Sequence, residues 1–224
     1  MANALAKPIR HAHDARALSA PHTFPDGLQH MKTTLLKPEN YTRSAWKNGG
    51  GVFTDIADAH RADAAAKDWD SLLWRFAATP IVSPGPFSYM PGIDRLQMVV
   101  GGRGLVLKAQ DREFDEREPF TAVRFTGELA IVTELEAGPV EVVNLMARRG
   151  AVEIELSART EPGDRRLSAG THLVYAACGD CSIRLDGAEL AIPDKSTLKV
   201  ELTRPSQLTL VLGLAVLASI EIVG

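Results

Sequence analysis

The sequence has few of the residues that bind metal ions or form disulfides. Only two of its 224 residues are cysteine, and six are histidine. His11, His13 and His22 lie in an N-terminal stretch without sustained periodicity, and from residue 31 onward only His60 and His172 remain, far apart in the chain. A catalytic metal site of the common histidine type requires a close histidine pair, a carboxylate and a further histidine. We therefore expect no metal and no cofactor.

Several catalytic and nucleic-acid-binding motifs are also missing. The chain has no G-x-S-x-G elbow, no G-x-x-x-x-G-K-[ST] phosphate loop and no basic run with interleaved aromatic residues. Its formal net charge is −3, so neither nucleic acid nor an anionic membrane is an expected partner. Paired carboxylates occur, but Asp68 with Asp70 and Asp115 with Glu116 lie in polar surroundings that are typical of solvated loops.

The sequence predicts a cytoplasmic location. The N-terminus lacks the apolar core of a signal peptide, and the longest apolar run, Leu208 to Ile220, is short for a membrane-spanning helix. A chain with two cysteines and no export signal is expected in the reducing cytosol.

Cys178 and Cys181 form a C-x-x-C pair, which can be a redox motif or half of a zinc site. The chain has no second pair of this kind, and apolar strand-like runs flank the motif. Gly179-Asp180 between the cysteines is a signal for a two-residue hairpin turn. We interpret the cysteines as structural residues that face each other across that turn.

The chain has the pattern of an all-β protein. Residues 1–30 show no period and are expected to form a poorly ordered extension. From Met31 onward, short apolar runs alternate with Gly, Pro, Asn and Asp clusters, which indicates a sandwich or barrel, and only Ala59 to Lys67 is a candidate helix. The predicted strands are Thr33–Leu36, Val52–Ala57, Leu72–Ala77, Ile93–Val100, Leu105–Ala109, Thr121–Phe125, Leu129–Leu135, Val140–Met146, Val152–Leu156, Thr171–Ala177, Ser182–Leu185, Leu198–Leu202, Leu208–Leu212 and Leu214–Ile222.

A faint internal repeat indicates two lobes. The segment 98–107 has the pattern of a strand, a glycine turn and a strand, and roughly 77 residues later the segment 175–185 has the same pattern. Two β lobes that contain the same hairpin form a duplicated barrel with a boundary near Gly150. The expected domains are the extension (1–30), an N-terminal lobe (31–150) that holds the candidate ligand pocket, and a C-terminal lobe (151–224).

The stretch Trp46-Lys47-Asn48-Gly49-Gly50-Gly51 combines an indole, an amine, a carboxamide and three glycines. Consecutive glycines disfavour both helix and strand, and they let a backbone approach a ligand closely. On its own the stretch is either a turn with a boundary tryptophan or one wall of a small-anion site.

Cations near this stretch and on apolar strands are Arg43, Lys47, Arg75 and Arg95. A lone arginine in a strand usually extends its charged end into solvent, and Arg75 alternates with two aromatic neighbours in a way that permits this. The alternative is that the cations converge on a carboxylate, which the planar guanidinium group binds through two hydrogen bonds. Sequence spacing leaves both readings open.

An ordered set of motifs resembles the HutD/Ves family. In chain order the motifs are Trp46 to Gly51, Trp74-Arg75, Gly85-Pro86-Phe87-Ser88, Pro91-Gly92-Ile93-Asp94-Arg95 and Asn144-Leu145-Met146. The resemblance is specific from about Met31 to Gly150 and weaker towards the C-terminus. It implies a bicupin, in which one chain forms two cupin-like (RmlC-like jelly-roll) β-barrel lobes.

The resemblance also implies the residues of a pocket in the N-terminal lobe, namely Trp46, Lys47, Asn48, Arg75, Asp94, Arg95 and Asn144. The glycine run adds Gly49, and charge and position add Arg43. The sequence departs from the family pattern at Val52-Phe53-Thr54-Asp55-Ile56, where an Arg-Glu or similar pair is expected. A charged contact at that position is therefore not supported by the resemblance.

The resemblance implies a link to histidine utilisation. The expected function is to bind a small carboxylate metabolite, such as urocanate or formylglutamate, and to modulate that pathway without catalysis. A first alternative is a metal-free cupin enzyme, an isomerase or lyase acting on a small organic acid, with Lys47 as acid or base and Asp94 as its partner. A second is a structural or partner-binding protein in which the motifs only shape the core. A homodimer is a further open possibility.

Overall fold

The computed structural model describes residues 30–45 and 52–223. The expected extension, apart from His30, and the stretch 46–51 lie outside the described residues. The described chain contains eighteen strands and one 3₁₀ turn, Pro38–Asn40. The strands are β1 (Met31–Leu36), β2 (Thr42–Ala45), β3 (Val52–His60), β4 (Leu72–Ile81), β5 (Ile93–Gly101), β6 (Leu105–Lys108), β7 (Glu113–Glu116), β8 (Ala122–Thr126), β9 (Val132–Leu135), β10 (Val140–Arg148), β11 (Val152–Arg159), β12 (Gly163–Leu167), β13 (Gly170–Tyr175), β14 (Cys181–Leu185), β15 (Ala188–Ile192), β16 (Thr197–Leu202), β17 (Ser206–Leu212) and β18 (Ala215–Ile222).

Two sheets of the N-terminal lobe enclose a hydrophobic core. The larger sheet has the strand order β2-β3-β4-β10-β5-β8, and the smaller has the order β7-β6-β9. Val99 and Val142 from the larger sheet share one buried cluster with Leu105 and Leu107 from the smaller sheet. Because side chains alternate along a strand, every second residue of β4, β5 and β10 points into this lobe.

The C-terminal lobe is built in the same way. Its larger sheet has the order β1-β16-β13-β18-β11, and its smaller sheet has the order β12-β17-β14-β15. The core between them contains Val174 and Val200 from the larger sheet and Ile183, Leu185 and Leu210 from the smaller sheet. This interior is therefore aliphatic over most of its length.

The two lobes repeat one strand order. The series β4-β10-β5-β8 in the N-terminal lobe corresponds to β11-β18-β13-β16 in the C-terminal lobe, and β9-β6-β7 corresponds to β17-β14-β15. The chain is thus an all-β bicupin with two cupin-like jelly-roll lobes, which confirms the predicted fold class.

The outer faces of the two larger sheets pack against each other and join the lobes. Phe76, Met98 and Leu145 of the N-terminal lobe lie in one buried cluster with Leu173 and Tyr175 of the C-terminal lobe. The rings of Phe76 and Tyr175 meet edge to face, with centroids 6.1 Å apart. Residues of β5 and β10 that alternate with these positions face the interior of the N-terminal lobe instead.

Strand β1 lies in the C-terminal lobe, although the sequence boundary assigns residue 31 to the N-terminal lobe. It pairs antiparallel with β16, from Met31 opposite Leu202 to Leu36 opposite Thr197. Met31 is buried in the C-terminal core. The difference arises because the partner of an edge strand is set by tertiary packing, which its own apolar pattern does not encode.

The predicted helix from Ala59 to Lys67 is wrong. Ala59 and His60 are the last residues of β3, and the residues after them form the loop to β4. His60 Nδ1 lies 2.8 Å from Ser71 Oγ, and the Arg61 backbone N–H donates a 2.8 Å hydrogen bond to the Ser71 carbonyl. These contacts close the loop between β3 and β4. A segment as short as 59–67 also does not form a helix unless packing stabilises it, because helix nucleation is unfavourable.

The two cysteines lie at a corner between sheets, so the predicted hairpin is wrong. Strand β13 belongs to the five-stranded sheet and β14 to the four-stranded sheet, with Cys178 exposed, Cys181 buried and both thiols free. The repeated segment after β5 makes the same kind of corner. There Gly102 has a φ of 74°, and a Cβ would lie 2.6 Å from the Pro139 carbonyl oxygen. The glycine repeat therefore marks a sheet-to-sheet corner.

Candidate functional site

Polar side chains occupy adjacent positions on three central strands of the larger N-terminal sheet. Strand β10 lies between β4 and β5, so Met146 pairs with Arg75 on one side and with Arg95 on the other. Two residues away on β10, Asn144 pairs with Gln97 of β5. Since paired residues on neighbouring strands point to the same face, Arg75, Arg95, Asn144 and Gln97 all face the interior of the lobe.

Arg95 is buried against two neighbouring aromatic rings. Its guanidinium carbon lies 4.7 Å from the ring centre of Phe87 and 5.0 Å from that of Phe125, and Nη2 donates a 2.9 Å hydrogen bond to Asn144 Oδ1. Among the described residues its Nε has no hydrogen-bond partner. Burial lowers the pKa of Arg95 to about 10; the nearby Glu116 carboxylate opposes this shift, and the charge of Arg75 adds to it. The side chain is therefore a desolvated cation with unused donor capacity.

Arg75 lies in the same interior beside a carboxylate. Its Nε donates a hydrogen bond to Asp55 Oδ1 on β3. Its guanidinium carbon lies 4.1 Å from the ring centre of Phe53 and 5.3 Å from that of Trp69. The segment in which the sequence departs from the family pattern thus does supply a charged contact, through Asp55.

Gln97 and Glu116 form a buried polar pair behind Arg95. Both residues have 0% relative exposure, and Gln97 Nε2 donates a 2.8 Å hydrogen bond to Glu116 Oε2. The Oε1 atoms of both side chains have no hydrogen-bond partner among the described residues. Burial raises the pKa of Glu116 to about 7, while the hydrogen bond from Gln97 and the charge of Arg95 oppose the shift.

Sequence reasoning missed this pair. Asp115 and Glu116 together resembled a solvated loop, but Glu116 is the last residue of β7 and points inward, whereas Asp115 is exposed. The available signal was alternation, because Phe114, which packs against the core, shares its face with Glu116. Alternation also places Gln97 on the same face as Arg95, because the two residues are two positions apart on one strand.

Two predicted site residues lie away from this group. Arg43 is exposed, and it pairs with Thr54, whereas the inward Asp55 is the next residue along β3. Asp94 points to the face opposite Arg95 and forms a 2.8 Å ion pair with Arg149. Neither residue joins the interior that contains Arg75, Arg95 and Asn144.

Asp94 lines a surface depression of about 520 Å³, together with Arg112, Arg124 and Arg149. Phe125, whose ring packs against Arg95 in the interior, also forms part of its wall. The cations there are already engaged: Arg149 binds Asp94 and Glu128, and Arg112 binds Asp111. Arg124 Nη2 donates a 2.6 Å hydrogen bond to the Ile154 carbonyl. The depression therefore lacks the desolvated, incompletely bonded cation that the interior provides.

The remaining predicted residues, Trp46, Lys47, Asn48 and Gly49, lie outside the described residues. The segment that contains them connects β2 to β3, and β3 carries Asp55, the partner of Arg75. Their contribution to a site stays a prediction, as does the pairing of Lys47 with Asp94.

The C-terminal lobe has a different interior at the equivalent positions. The repeat places His172 at the position of Arg95, Val174 at that of Gln97 and Leu217 at that of Asn144. The two nitrogens of His172 are both satisfied, with Nδ1 2.9 Å from Ser219 Oγ and Nε2 3.0 Å from the Ser168 carbonyl oxygen. Burial lowers the pKa of His172, which is typical of a neutral core histidine. A jelly-roll lobe of this chain therefore does not require a cationic interior.

Within residues 30–45 and 52–223, no three or more His, Cys, Asp or Glu side chains are grouped so that they could hold a metal ion. Over the same residues, no helix has the length and apolar character needed to cross a membrane.

Comparison with known proteins identifies the family. A family model described as HutD matches residues 38–216. The chain belongs to the HutD family. An uncharacterised 21.2 kDa protein from the hutC 3′ region of Pseudomonas putida is 29% identical over 158 residues, which is 70% of this chain and 80% of that protein. The HutD family is associated with histidine utilisation.

Solved structures show the same fold. A conserved protein of unknown function from Pseudomonas aeruginosa PAO1 has a TM-score of 0.75 and 22% identity, covering 85% of this chain and 99% of that chain. HutD from Pseudomonas fluorescens SBW25, solved in a formate condition, has a TM-score of 0.68 and 23% identity over 86% of this chain and 100% of that chain. These similarities extend over nearly the whole of both relatives.

Proposed function

We propose that the interior of the N-terminal lobe binds a small carboxylate metabolite, such as urocanate or formylglutamate, and that this binding modulates histidine utilisation. Arg95 supplies a desolvated guanidinium held by Asn144, and Arg75 supplies a second cation on the other side of Met146, on the same face of the sheet. Both are suited to carboxylate recognition because the guanidinium fork matches the geometry of the two oxygens. Two such contacts correspond to dissociation constants from about micromolar to millimolar.

The observation that carries the proposal is the contrast between the lobes. One strand order is used twice, yet only the N-terminal lobe has buried arginines at its central positions, whereas the C-terminal lobe has His172, Val174 and Leu217 there. Burying a guanidinium costs free energy that apolar residues at the same place avoid. A cost of this kind is typical of residues kept for binding.

The family context supports the choice of ligand class. The relative from Pseudomonas putida lies in the hutC 3′ region, and the structure of HutD from Pseudomonas fluorescens was solved in a formate condition. Small carboxylates of histidine breakdown are therefore the first compounds to test.

The experiment is calorimetry of the full chain with urocanate, N-formylglutamate, formate and histidine. We expect at least one carboxylate to bind, and we expect it to shift the ¹H–¹⁵N signals of the Asn144 side chain, which lies against Arg95. Absence of binding by every carboxylate contradicts the proposal. Binding that shifts only signals of the C-terminal lobe contradicts the assigned site.

The modulatory role requires a test in cells. A strain that carries the hut genes, with its own HutD protein replaced by this chain, is compared with a strain that carries the Arg95→Met variant during growth on histidine. We expect the variant to reproduce a deletion of the gene, measured as hut transcription and urocanate accumulation. The proposal is contradicted if the deletion strain shows a clear effect while the Arg95→Met strain grows and transcribes the hut genes as the strain with the unmodified chain does.

A second candidate function is that of a metal-free enzyme, an isomerase or lyase acting on a small organic acid. The specific observation is Glu116, a buried carboxyl whose raised pKa of about 7 suits a general base or acid. Incubating each carboxylate with the protein and following its NMR spectrum tests this directly. Formation of a product that the Glu116→Gln variant does not form favours the enzyme, and unchanged substrate leaves binding as the function.

A further inference from the structure

The interior charges of the N-terminal lobe are nearly balanced before any ligand binds. Arg75 is hydrogen-bonded to Asp55. Arg95 has no carboxylate within hydrogen-bond distance among the described residues, and its bond goes to the neutral Asn144. The acid whose charge acts on Arg95 is Glu116, which is itself held by Gln97. Among the described residues, the interior thus contains the two arginines, with Asp55 and Glu116 as their counter-charges. Asp58, the cross-strand partner of Arg75, is paired with His60.

Within the described part of the chain, few charged groups face Glu116. Gln97 of β5 is hydrogen-bonded to it, and the charge of Arg95, on the same face of β5, acts on it. Leu105, its partner on β6, is apolar and fully buried. On its own strand Glu113 and Asp115 point outward and are exposed. Burial is the main influence on the ionisation of Glu116, and among the described residues Arg95 is the charged side chain that favours its ionised form. Glu116 in turn favours the charged form of Arg95.

A carboxylate that binds Arg95 replaces Glu116 as its counter-ion. Two carboxylates close to one cation in a water-poor interior repel each other, and the usual result is that one of them binds a proton. Glu116 is the group able to respond, because its second oxygen, Oε1, is buried without a hydrogen-bond partner among the described residues. The ligand carboxylate instead gains the guanidinium bonds, which favour its ionised form.

We propose that Glu116 takes up one proton from solvent when a carboxylate ligand binds to Arg95, so that the site accepts a carboxylate together with a proton. The charge balances: ionised Glu116, the ligand anion and a solvent proton give a complex with neutral Glu116 and a bound anion. This inference rests on the proposed function and names how that site is regulated. Ligand affinity then falls as pH rises, since fewer protons are available to accompany the anion.

The C-terminal lobe lacks both members of this coupled pair. His172 replaces Arg95, and the inward residues of β15, the strand equivalent to β7, are Leu190 and Ile192. The buried acid therefore occurs in the lobe that contains the buried arginines, as expected for a group that serves the site rather than the fold.

The test is calorimetry of the full chain with formate and N-formylglutamate, whose own groups do not titrate between pH 6 and 8.5. Titrations at pH 7 and 8 are made in HEPES and in Tris, which avoids phosphate as a competing anion. The difference in observed heat between the two buffers, divided by the difference in their ionisation enthalpies, gives the number of protons taken up. The pKa of Glu116 in the ligand-free protein is about 7, so Glu116 is about half ionised at pH 7 and almost fully ionised at pH 8. We therefore expect uptake of about half a proton per ligand at pH 7 and approaching one proton at pH 8.

The matched variants are Glu116→Gln and, on the same strand, Glu113→Gln, which removes an exposed outward carboxylate. We expect Glu116→Gln to bind without proton uptake and with an affinity that no longer depends on pH, while Glu113→Gln behaves as the unmodified protein. An infrared difference spectrum of the unmodified protein provides a readout that does not require the variant to fold. Ligand addition should produce the C=O band of a protonated carboxyl group.

The outcomes separate the two proposals. Carboxylate binding without proton uptake and without the protonated-carboxyl band overturns this inference and leaves the proposed function standing. Equal proton uptake by the unmodified protein and by Glu116→Gln also overturns it, because another group is then responsible. Failure of both carboxylates, and of urocanate, to bind overturns the proposed function and this inference together.

Discussion

Arg95 Nη2 donates a 2.9 Å hydrogen bond to Asn144 Oδ1, across the central strands β5 and β10 of the N-terminal lobe. The bond orients a guanidinium group that also packs against the rings of Phe87 and Phe125. A group held in this way loses little conformational entropy when it binds an anion, and a smaller entropy loss means a higher affinity for the anion. Substituting Arg95 therefore tests whether this side chain contributes to ligand affinity, to stability or to both.

Replacing Arg95 with methionine should weaken carboxylate binding without unfolding the protein. We expect a loss of about 10- to 100-fold in affinity, because a hydrogen bond to a charged group contributes about 1.5–3 kcal/mol. Stability should change little, since the variant removes a desolvated charge and retains an apolar stem, while Glu116 responds to the loss of the cation by binding a proton. Calorimetry and thermal unfolding measure the two effects, with Arg184→Met on the C-terminal lobe as the control. An affinity equal to that of the control variant excludes Arg95 from the site.

Replacing Asp55 with asparagine should strengthen carboxylate binding and lower the stability of the protein. Asp55 is hydrogen-bonded to Arg75, so an anionic ligand competes with it for the guanidinium. We expect Asp55→Asn to bind carboxylates several-fold more tightly and to lose about 1–3 kcal/mol of stability, because Arg75 is left buried without its counter-ion. The exposed Asp164, changed to asparagine, is the matched control for loss of a carboxylate. Weaker ligand binding by Asp55→Asn means that Asp55 orients Arg75 and does not compete with the ligand.

Most strands could be predicted from the sequence because short apolar runs lie between clusters of Gly, Pro, Asn and Asp. The missed strands β2, β7, β12 and β15 are short, and β7 and β12 are rich in charged residues. Such segments become strands because they pair with neighbours in a sheet, and pairing partners are not visible in a local pattern. Glu116 was overlooked because β7 was not predicted, and its alternation with Phe114 becomes informative only once β7 is recognised as a strand through its pairing with β6.

The site was only partly predictable. The family resemblance selected Arg75, Arg95 and Asn144, which the sheet brings to one face. Asp94 could have been separated from Arg95 by alternation alone, because successive residues of a strand point to opposite faces. The position of Arg43 depends on the register of β2 against β3, which follows from tertiary pairing and not from the order of residues.

Glu116 should make stability fall as pH rises through its titration range. Burial raises its pKa from the ordinary 4.5 to about 7, so between these values the folded state binds more protons than the unfolded state. Stability then decreases from about pH 4.5 to about pH 7 by up to roughly 3 kcal/mol from this group, and is constant in this respect above that range. The pKa of His172 is lowered, which acts in the opposite direction below about pH 6.5.

The measurement is urea unfolding at pH 5, 6, 7 and 8 for the unmodified protein and for Glu116→Gln. Both proteins contain His172, so its contribution cancels in the difference between their free energies of unfolding. The pH dependence of that difference therefore reports the contribution of Glu116 alone. We expect the variant to be relatively more stable at pH 8 than at pH 5. A difference that does not change with pH means that Glu116 ionises in the folded protein as it does in the unfolded chain.

Replacing Gly102 with alanine should destabilise the corner between β5 and β6. Gly102 has a φ of 74°, and a Cβ would lie 2.6 Å from the Pro139 carbonyl oxygen, so backbone would have to move. We expect a loss of about 2 kcal/mol or more. Gly138→Ala is the matched control, because Gly138 also has a positive φ, 94°, but a Cβ there meets nothing within 4 Å. Urea unfolding compares them, and an equal loss in both variants means that backbone conformation alone, and not the close approach of Pro139, requires glycine at this corner.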